Sequence, residues 1–289
     1  MRAVLVATLG AAVVLLASAC GSSQAKTFPV NVYVGGQHFA SVPLGHSGSF
    51  LPKTMTVHFG VGQVVLKVDD AVANEYVDRA LAKHQGRVDL PFTRFASLIK
   101  ASAQKQLFHH ASEITSLSML LSAVGIDAPQ VHLLPLLKRS GPLDPQPVAG
   151  SKLFRWGDPE RGFVGRPNGA GSGGFGVYEP PIKRLAGKYR IHFIDLHGKS
   201  TDVIRAALLD GHPVIAWVDW TGSGAQSTWL TPSGEEITVN LGERAILLIG
   251  AGPGYYLLND PVSGKEYKWT LSRFSERWEL LGRRALELP

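Results

Sequence analysis

The sequence predicts an α+β protein with two parts: a small α+β module over residues 28–90 and a larger domain over residues 106–289. Alternating apolar and polar residues in the first part are typical of strands. Apolar residues at helical spacing over residues 112–124 predict a helix at the start of the second part. Short apolar runs near the C-terminus, separated by turn residues, predict an antiparallel sheet.

The N-terminus has the features of an export signal. Residues 1–19 combine a basic start, an apolar run and small residues before the single cysteine, Cys20. The segment from Leu16 to Ala19 resembles the lipobox of bacterial lipoproteins, which implies a lipid anchor on Cys20 and a protein on the outer face of the cell membrane. An ordinary signal cleaved near Ala19, giving a secreted protein, is the alternative. Residues 20–27 are small and polar and predict a tether.

Composition excludes several functions. The net charge of +6 is spread along the chain rather than gathered in a basic block, so we expect no nucleic-acid partner. With one cysteine in the chain, an intramolecular disulfide is impossible, and if Cys20 carries a lipid no thiol is left for thiolate chemistry.

The module over residues 28–90 is predicted to combine strands with one helix. The expected strands cover residues 30–34, 37–42, 55–59 and 63–68, and the expected helix covers residues 71–83 after an Asp69-Asp70 cap. Residues 91–105 are predicted to form a linker helix between the two parts.

The domain over residues 106–289 is predicted to open with the helix over residues 112–124. Proline and glycine dominate residues 141–181, which we expect to lie outside the packed core. The other expected elements are helices over residues 201–210 and 271–281 and strands over residues 214–218, 245–249, 255–258 and 266–269.

Four residues in order along this domain resemble the motif of the bacteriocin-processing-type, papain-like cysteine peptidases. Their motif is a Gln, then a Cys heading a helix, then a His, then an Asp or Asn. The corresponding residues are Gln106, Ser112, Arg244 and Asp260. Further segments match one branch of the family in the same order: residues 157–165, 178–181, 211–218 and 259–264. The resemblance implies a papain-like fold, in which the N-terminal helix of the domain packs on a C-terminal antiparallel sheet. It also implies that Gln106 is at the oxyanion position, Ser112 at the nucleophile position, Arg244 at the base position and Asp260 at the orienting position.

The two reactive residues of that motif are replaced. A guanidinium stays protonated and cannot serve as a general base, so we expect Ser112 to be inactive and the former site to be filled by an Arg244–Asp260 salt bridge. The alternatives are an exposed Arg244, a base supplied by His109 or His110, and, for Gln106, an ordinary surface amide on a helix.

Aromatic residues in the glycine-rich segment are the candidates for ligand binding. Phe154, Trp156 and Phe175 could line a groove for an extended peptide or glycan, with Asp158 as a polar candidate beside them. They could equally pin the segment to the sheet. Because acidic residues here lack partners at metal-ligand spacing, no metal or other cofactor is predicted.

These observations favour an exported, catalytically inactive, peptidase-like protein that binds a peptide, an envelope polymer or a protein partner. One alternative is an active hydrolase that uses Ser112 or a rearranged site. The other is a structural or assembly subunit of the cell envelope that makes contact through residues 28–90. The binding hypothesis rests on the family's cleft alone and names no ligand.

Overall fold

The computed structural model describes residues 29–34, 36–42, 51, 53–59, 61–169 and 173–289. The predicted signal, Cys20 and the tether lie outside these residues. No helix in the described part is long and apolar enough to cross a bilayer. Contacts divide the described residues into two compact units, one built from those in the ranges 29–58 and 64–95 and the other from those in the ranges 59–63 and 96–289.

The first part of the chain contains the strands and the helix that alternation and spacing predicted. Its elements are β1 (Val30–Val34), β2 (Gln37–Val42), β3 (Thr54–Phe59), β4 (Gly62–Lys67), α1 (Asp70–Ala82), β5 (Arg87–Leu90) and β6 (Thr93–Ile99). Strand β1 pairs antiparallel with β2 and parallel with β5. Helix α1 begins where Asp69 accepts the backbone N–H groups of Ala71 and Val72, as the predicted cap requires.

The predicted linker helix over residues 91–105 is wrong. Residues 93–99 form strand β6, and residues 100–106 form neither helix nor strand. Along β6, Ser97 and Ile99 are buried whereas Leu98 is exposed, which is the two-residue period of a strand. Leu98 pairs with Gly250 of the neighbouring strand, and this pairing stabilises the extended conformation of so short a segment.

The larger unit begins its regular structure at the predicted first helix. Its elements are α2 (Ser112–Ala123), α3 (Gln130–Leu133), β7 (Arg139–Ser140), β8 (Gln146–Pro147), β9 (Phe154–Arg155), β10 (Phe163–Gly165), β11 (Gly174–Gly176), α4 (Glu179–Gly187), β12 (Ile194–Asp195), α5 (Thr201–Leu209), β13 (Val214–Asp219), β14 (Gln226–Leu230), β15 (Glu236–Asn240), β16 (Glu243–Gly252), β17 (Tyr255–Asp260), β18 (Lys265–Thr270), α6 (Leu271–Glu279) and β19 (Ala285–Glu287).

The predicted antiparallel sheet is present and forms the centre of this unit. Strands β12, β19, β13, β16, β17 and β18 pair in that order, and each pair is antiparallel. All residues of β13 are buried, which is why the first five of them are apolar without alternation. Strand β16 also pairs with β6, where a Cβ on Gly250 would lie 2.3 Å from the carbonyl oxygen of Ser97. Only glycine permits this approach of two backbones.

Helix α2 packs against strand β16 and is buried over its first ten residues, Ser112 to Leu121. The hydroxyl of Ser116 donates to the carbonyl oxygen of Ala245 at 3.1 Å, so the helix is hydrogen-bonded to the third residue of the strand. This contact sets the N-terminus of α2 beside the beginning of β16. The two elements thereby bring Ser112 next to Arg244.

The expectation that residues 141–181 lie outside the core is also wrong. Phe163, Val164 and Val177 are each at most 1% exposed. The glycines here serve close packing, because a Cβ on Gly157 would lie 2.3 Å from the carbonyl oxygen of Ser140 and a Cβ on Gly162 would lie 2.5 Å from that of Lys138. The glycine content therefore reflects contact between backbones rather than freedom of the chain.

Candidate functional site

Ser112 is 7% exposed and held by two hydrogen bonds. Its Oγ accepts the backbone N–H of Ala245 at 3.0 Å and donates to Oε2 of Glu113 at 3.4 Å. In the described part of the chain no imidazole hydrogen-bonds this hydroxyl. The Nε2 atom of His110 lies 2.9 Å from the carbonyl oxygen of Gly169, and the ring of His109 packs on the ring of His110. Neither histidine is therefore placed to act as a base for Ser112.

The predicted salt bridge between Arg244 and Asp260 is confirmed. Nη1 of Arg244 donates to Oδ1 of Asp260 at 3.0 Å, and the two side chains are 19% and 1% exposed. The carboxylate also accepts the backbone N–H groups of Val262 and Ser263 at 3.1 and 3.0 Å. The alternative of a freely exposed Arg244 is wrong. The pair is joined through a single nitrogen rather than through a bidentate contact.

Gln106 lies beside this pair but does not present its amide as an oxyanion donor. Its backbone N–H donates to the carbonyl oxygen of Pro261 at 2.7 Å, which joins it to the turn after Asp260. Its side-chain Nε2 donates to the carbonyl oxygen of His109 at 2.7 Å, and Oε1 is buried without a partner. The residue lies outside any helix, so its alternative as a surface amide on a helix is wrong as well.

The four predicted site residues are thus brought into one region by three contacts: Ser112 to Ala245, Arg244 to Asp260, and Gln106 to Pro261. The arrangement pairs Arg244 with Asp260, and the Ser112 hydroxyl faces a backbone amide and a carboxyl group rather than an imidazole.

Two buried carboxyl groups beside this region were not predicted from the sequence. Glu113 is 1% exposed, and its Oε1 accepts the backbone N–H of Val177 at 2.6 Å. Burial raises the pKa of Glu113 to about 7. Oε1 of Glu243 is buried without a partner, and burial followed by the charge of Glu113 raises the pKa of Glu243 well above its usual range. The signal was present, since Glu113 is the one charged residue of an otherwise apolar or hydroxylic helix.

A largely buried arginine close to Glu243 forms ion pairs with two further carboxylates. The guanidinium of Arg284 donates to Oε2 of Glu179 and to Oε1 of Glu160, both at 2.6 Å, and lies 3.9 Å from the ring centroid of Tyr178. Burial raises the pKa of Glu179 although Arg284 opposes the rise. No group of three or more acidic, histidine or cysteine side chains in the described residues has an arrangement suited to a metal ion.

The aromatic binding candidates form a small core rather than an open groove, which corrects the expectation for Trp156 and Asp158. Trp156 is 5% exposed and packs edge-on against Trp229, and the half-buried Phe154 and Phe175 pack on the same indole. Asp158 is 7% exposed and accepts the backbone N–H of Glu160 and the Nε–H of Arg161. The aromatic side chains hold the glycine-rich segment in place by packing on Trp229, and Asp158 does so through its hydrogen bonds. Trp229, at the centre of the cluster, was not predicted.

Comparison with known proteins identifies the family. The model of the Peptidase C39-like family matches residues 98–286. The chain belongs to the Peptidase C39-like family. A crystal structure of a candidate C39-like peptidase from Bacillus anthracis shares 26% sequence identity with this C39-like protein, covers 66% of it and 94% of its own chain, and superposes with a TM-score of 0.57. No protein of curated function matches the chain. The peptidase-like family predicted from the four-residue motif is confirmed.

Proposed function

We propose that this C39-like protein is an inactive peptidase with a papain-like fold that binds a peptide, an envelope polymer or a protein partner at its former catalytic cleft. The observation that carries the proposal is the Arg244–Asp260 ion pair at the positions that the resemblance assigns to the base and its orienting residue. A permanent cation there cannot accept a proton from Ser112. We further propose that export and a lipid on Cys20 hold the protein at the cell membrane.

The hydrogen bonds of Ser112 and Gln106 support this proposal. A serine hydroxyl becomes a nucleophile only when an adjacent base removes its proton. Oγ of Ser112 instead accepts the backbone N–H of Ala245, a bond that lowers the electron density available for attack. The amide of Gln106 donates to the carbonyl oxygen of His109, so it is not oriented to stabilise an oxyanion.

A peptidase assay with matched variants tests inactivity. We expect the purified protein to release no fluorophore from a library of fluorogenic peptides beyond the buffer rate, and Ser112→Ala to behave identically. Labelling with a fluorophosphonate, which modifies activated serines, is expected to be absent from both. Cleavage or labelling that is present in the wild type and lost in Ser112→Ala would refute the proposal.

One contact favours a second candidate, a serine hydrolase that uses a carboxylate base. Oε2 of Glu113 lies 3.4 Å from the Ser112 hydroxyl, and its pKa of about 7 suits a general base. Such an enzyme would become more active as the pH rises through about 7 and would lose activity in Glu113→Gln. The burial of both side chains argues against it, because Ser112 is 7% exposed and Glu113 is 1% exposed, which leaves a substrate carbonyl little access to the hydroxyl.

The anchoring proposal has its own test. In cells fed an alkyne-modified fatty acid, we expect label on the wild-type protein and none on Cys20→Ala, with the variant recovered in the medium or in a soluble envelope fraction. Equal recovery of both proteins from the membrane would contradict a lipid on Cys20.

A further inference from the structure

We propose that Arg244 is a carboxylate-binding residue, and that the ligand of this protein presents a carboxylate to the unused edge of its guanidinium. The inference rests on the proposed function, since it names the group that the former cleft would recognise.

The guanidinium of Arg244 has donors to spare. An arginine side chain carries five N–H bonds in a planar fork. Among the described residues Arg244 makes one hydrogen bond, from Nη1 to Oδ1 of Asp260 at 3.0 Å. The edge formed by Nε and Nη2 therefore retains the paired donors that match the two oxygens of a carboxylate.

Packing holds this edge in place before any ligand arrives. The guanidinium carbon lies 4.3 Å from the ring centroid of Trp220, so one face of the cation is covered by an indole. Trp220 itself packs against Tyr267 and Trp269 at centroid distances of 5.5 and 5.1 Å. A side chain fixed in this way loses little conformational freedom on binding, which favours affinity.

Exposure and charge favour an anion. Arg244 is 19% exposed whereas Asp260 is 1% exposed, so a ligand that enters the site meets the cation and not its partner. The carboxylate of Asp260 is also stabilised by the backbone N–H groups of Val262 and Ser263. Its negative charge is thus shared among three donors, which leaves Arg244 incompletely neutralised.

Two exposed aliphatic side chains lie on the segments that adjoin the proposed carboxylate-binding site. Leu107 is 64% exposed and Val262 is 38% exposed. They lie on two adjoining segments, since the backbone N–H of Gln106 donates to the carbonyl oxygen of Pro261. A ligand whose carboxylate adjoins an aliphatic group fits both features. The C-terminus of a peptide and an acidic side chain within a polymer are two sources of the same chemistry.

Binding of three synthetic peptides tests the proposal. Two have the acetylated sequence Gly-Ala-Leu-Leu, one ending in a free carboxylate and the other in an amide, and the third is the acetylated amide Gly-Ala-Glu-Leu. Titration calorimetry measures the affinity of the protein for each peptide. We expect the free-carboxylate or glutamate peptide to bind at least about tenfold more tightly than the uncharged peptide, the ratio expected for a charge-assisted hydrogen-bonded pair. Which of the two binds identifies the source of the carboxylate.

Matched arginine variants locate the effect. Arg244→Gln is expected to remove the advantage of the carboxylate peptides, and Arg244→Lys, which keeps the charge but not the fork, to recover only part of it. Arg273→Gln is the control, because Arg273 lies 4.5 Å from the ring centroid of Trp269 in the same aromatic group and is expected to change affinity less than twofold. Circular dichroism verifies that each variant is folded, and the comparison of peptides on the wild type does not depend on any variant.

The outcomes separate this inference from the function on which it rests. If all three peptides bind the wild type equally, the cleft binds peptides but the carboxylate site is refuted. If carboxylate peptides bind Arg244→Gln as well as the wild type, the carboxylate is held elsewhere and the assignment to Arg244 is refuted. If no peptide binds at millimolar concentration, both the inference and peptide binding by this cleft are refuted.

Discussion

Replacing Arg284 with methionine is expected to lower the free energy of unfolding by about 4 kcal/mol at pH 8, the usual cost of leaving a buried charge without its partner. Arg284 is 16% exposed and donates to Glu179, which is 2% exposed. Methionine retains much of the apolar stem but none of the donors, so the carboxylate of Glu179 would be uncompensated in the core. Urea denaturation monitored by tryptophan fluorescence measures the loss.

Its matched control is the neighbouring residue. Arg283→Met removes an arginine that is 44% exposed and paired with an exposed Glu279, so we expect a loss below about 1 kcal/mol. Adding Glu179→Gln to Arg284→Met should recover part of the stability because it removes the stranded charge. The loss should also be smaller at pH 5, where a proton can neutralise Glu179. Equal losses from Arg283→Met and Arg284→Met would contradict the assignment of a buried ion pair.

Glu113→Gln is expected to remove a large part of the pH dependence of stability. Burial raises the pKa of Glu113 from 4.5 in the unfolded chain to about 7 in the fold. A carboxyl group with a raised pKa binds more protons in the folded state, so the free energy of unfolding falls as pH rises from about 4.5 to about 7. The expected loss from this group is roughly 3 kcal/mol. Glutamine can keep the bond from Val177 without acquiring the charge.

Denaturation curves between pH 4.5 and 8 test this expectation. The variant should match the wild type within about 1 kcal/mol at pH 4.5, where the carboxyl group is neutral, and exceed its stability by roughly 3 kcal/mol at pH 8. Glu236→Gln, which removes an exposed carboxyl group from strand β15, should leave the pH profile unchanged. A profile for Glu113→Gln that parallels the wild type would show that Glu113 is not buried as a carboxyl group.

Local patterns predicted the elements whose burial is regular. The helix at Ser112 was predictable because its apolar residues repeat at helical spacing, and the strands from β16 to β18 because turn residues separate their apolar runs. Strand β6 was not predictable, because Leu98 is apolar although exposed and Ser97 is polar although buried, so the residue types do not follow the alternating burial. Its pairing partner, Gly250, also lies about 150 residues away along the chain. Hairpin β14–β15 was missed for a similar reason, because its strands are mostly polar and only half buried.

The candidate site was predictable in position but not in detail. The order of Gln106, Ser112, Arg244 and Asp260 identified the family, and the complementary charges of Arg244 and Asp260 predicted their ion pair. The sequence could not tell that the amide of Gln106 turns toward His109, because that depends on a loop conformation. It also could not separate a lining aromatic from a buried one, and Trp156 proved to be buried against Trp229.

By itself the sequence determined the family and the α+β class, because these depend on residue identity, order and local periodicity. The tertiary structure decided which charges are buried and what surrounds them. Glu113 and Glu243 are neighbours only because α2 packs on β16, and Arg244 has a covered face and a free edge only because Trp220 and Asp260 meet there. Burial and pairing are properties of contacts between distant segments, and no local pattern encodes them.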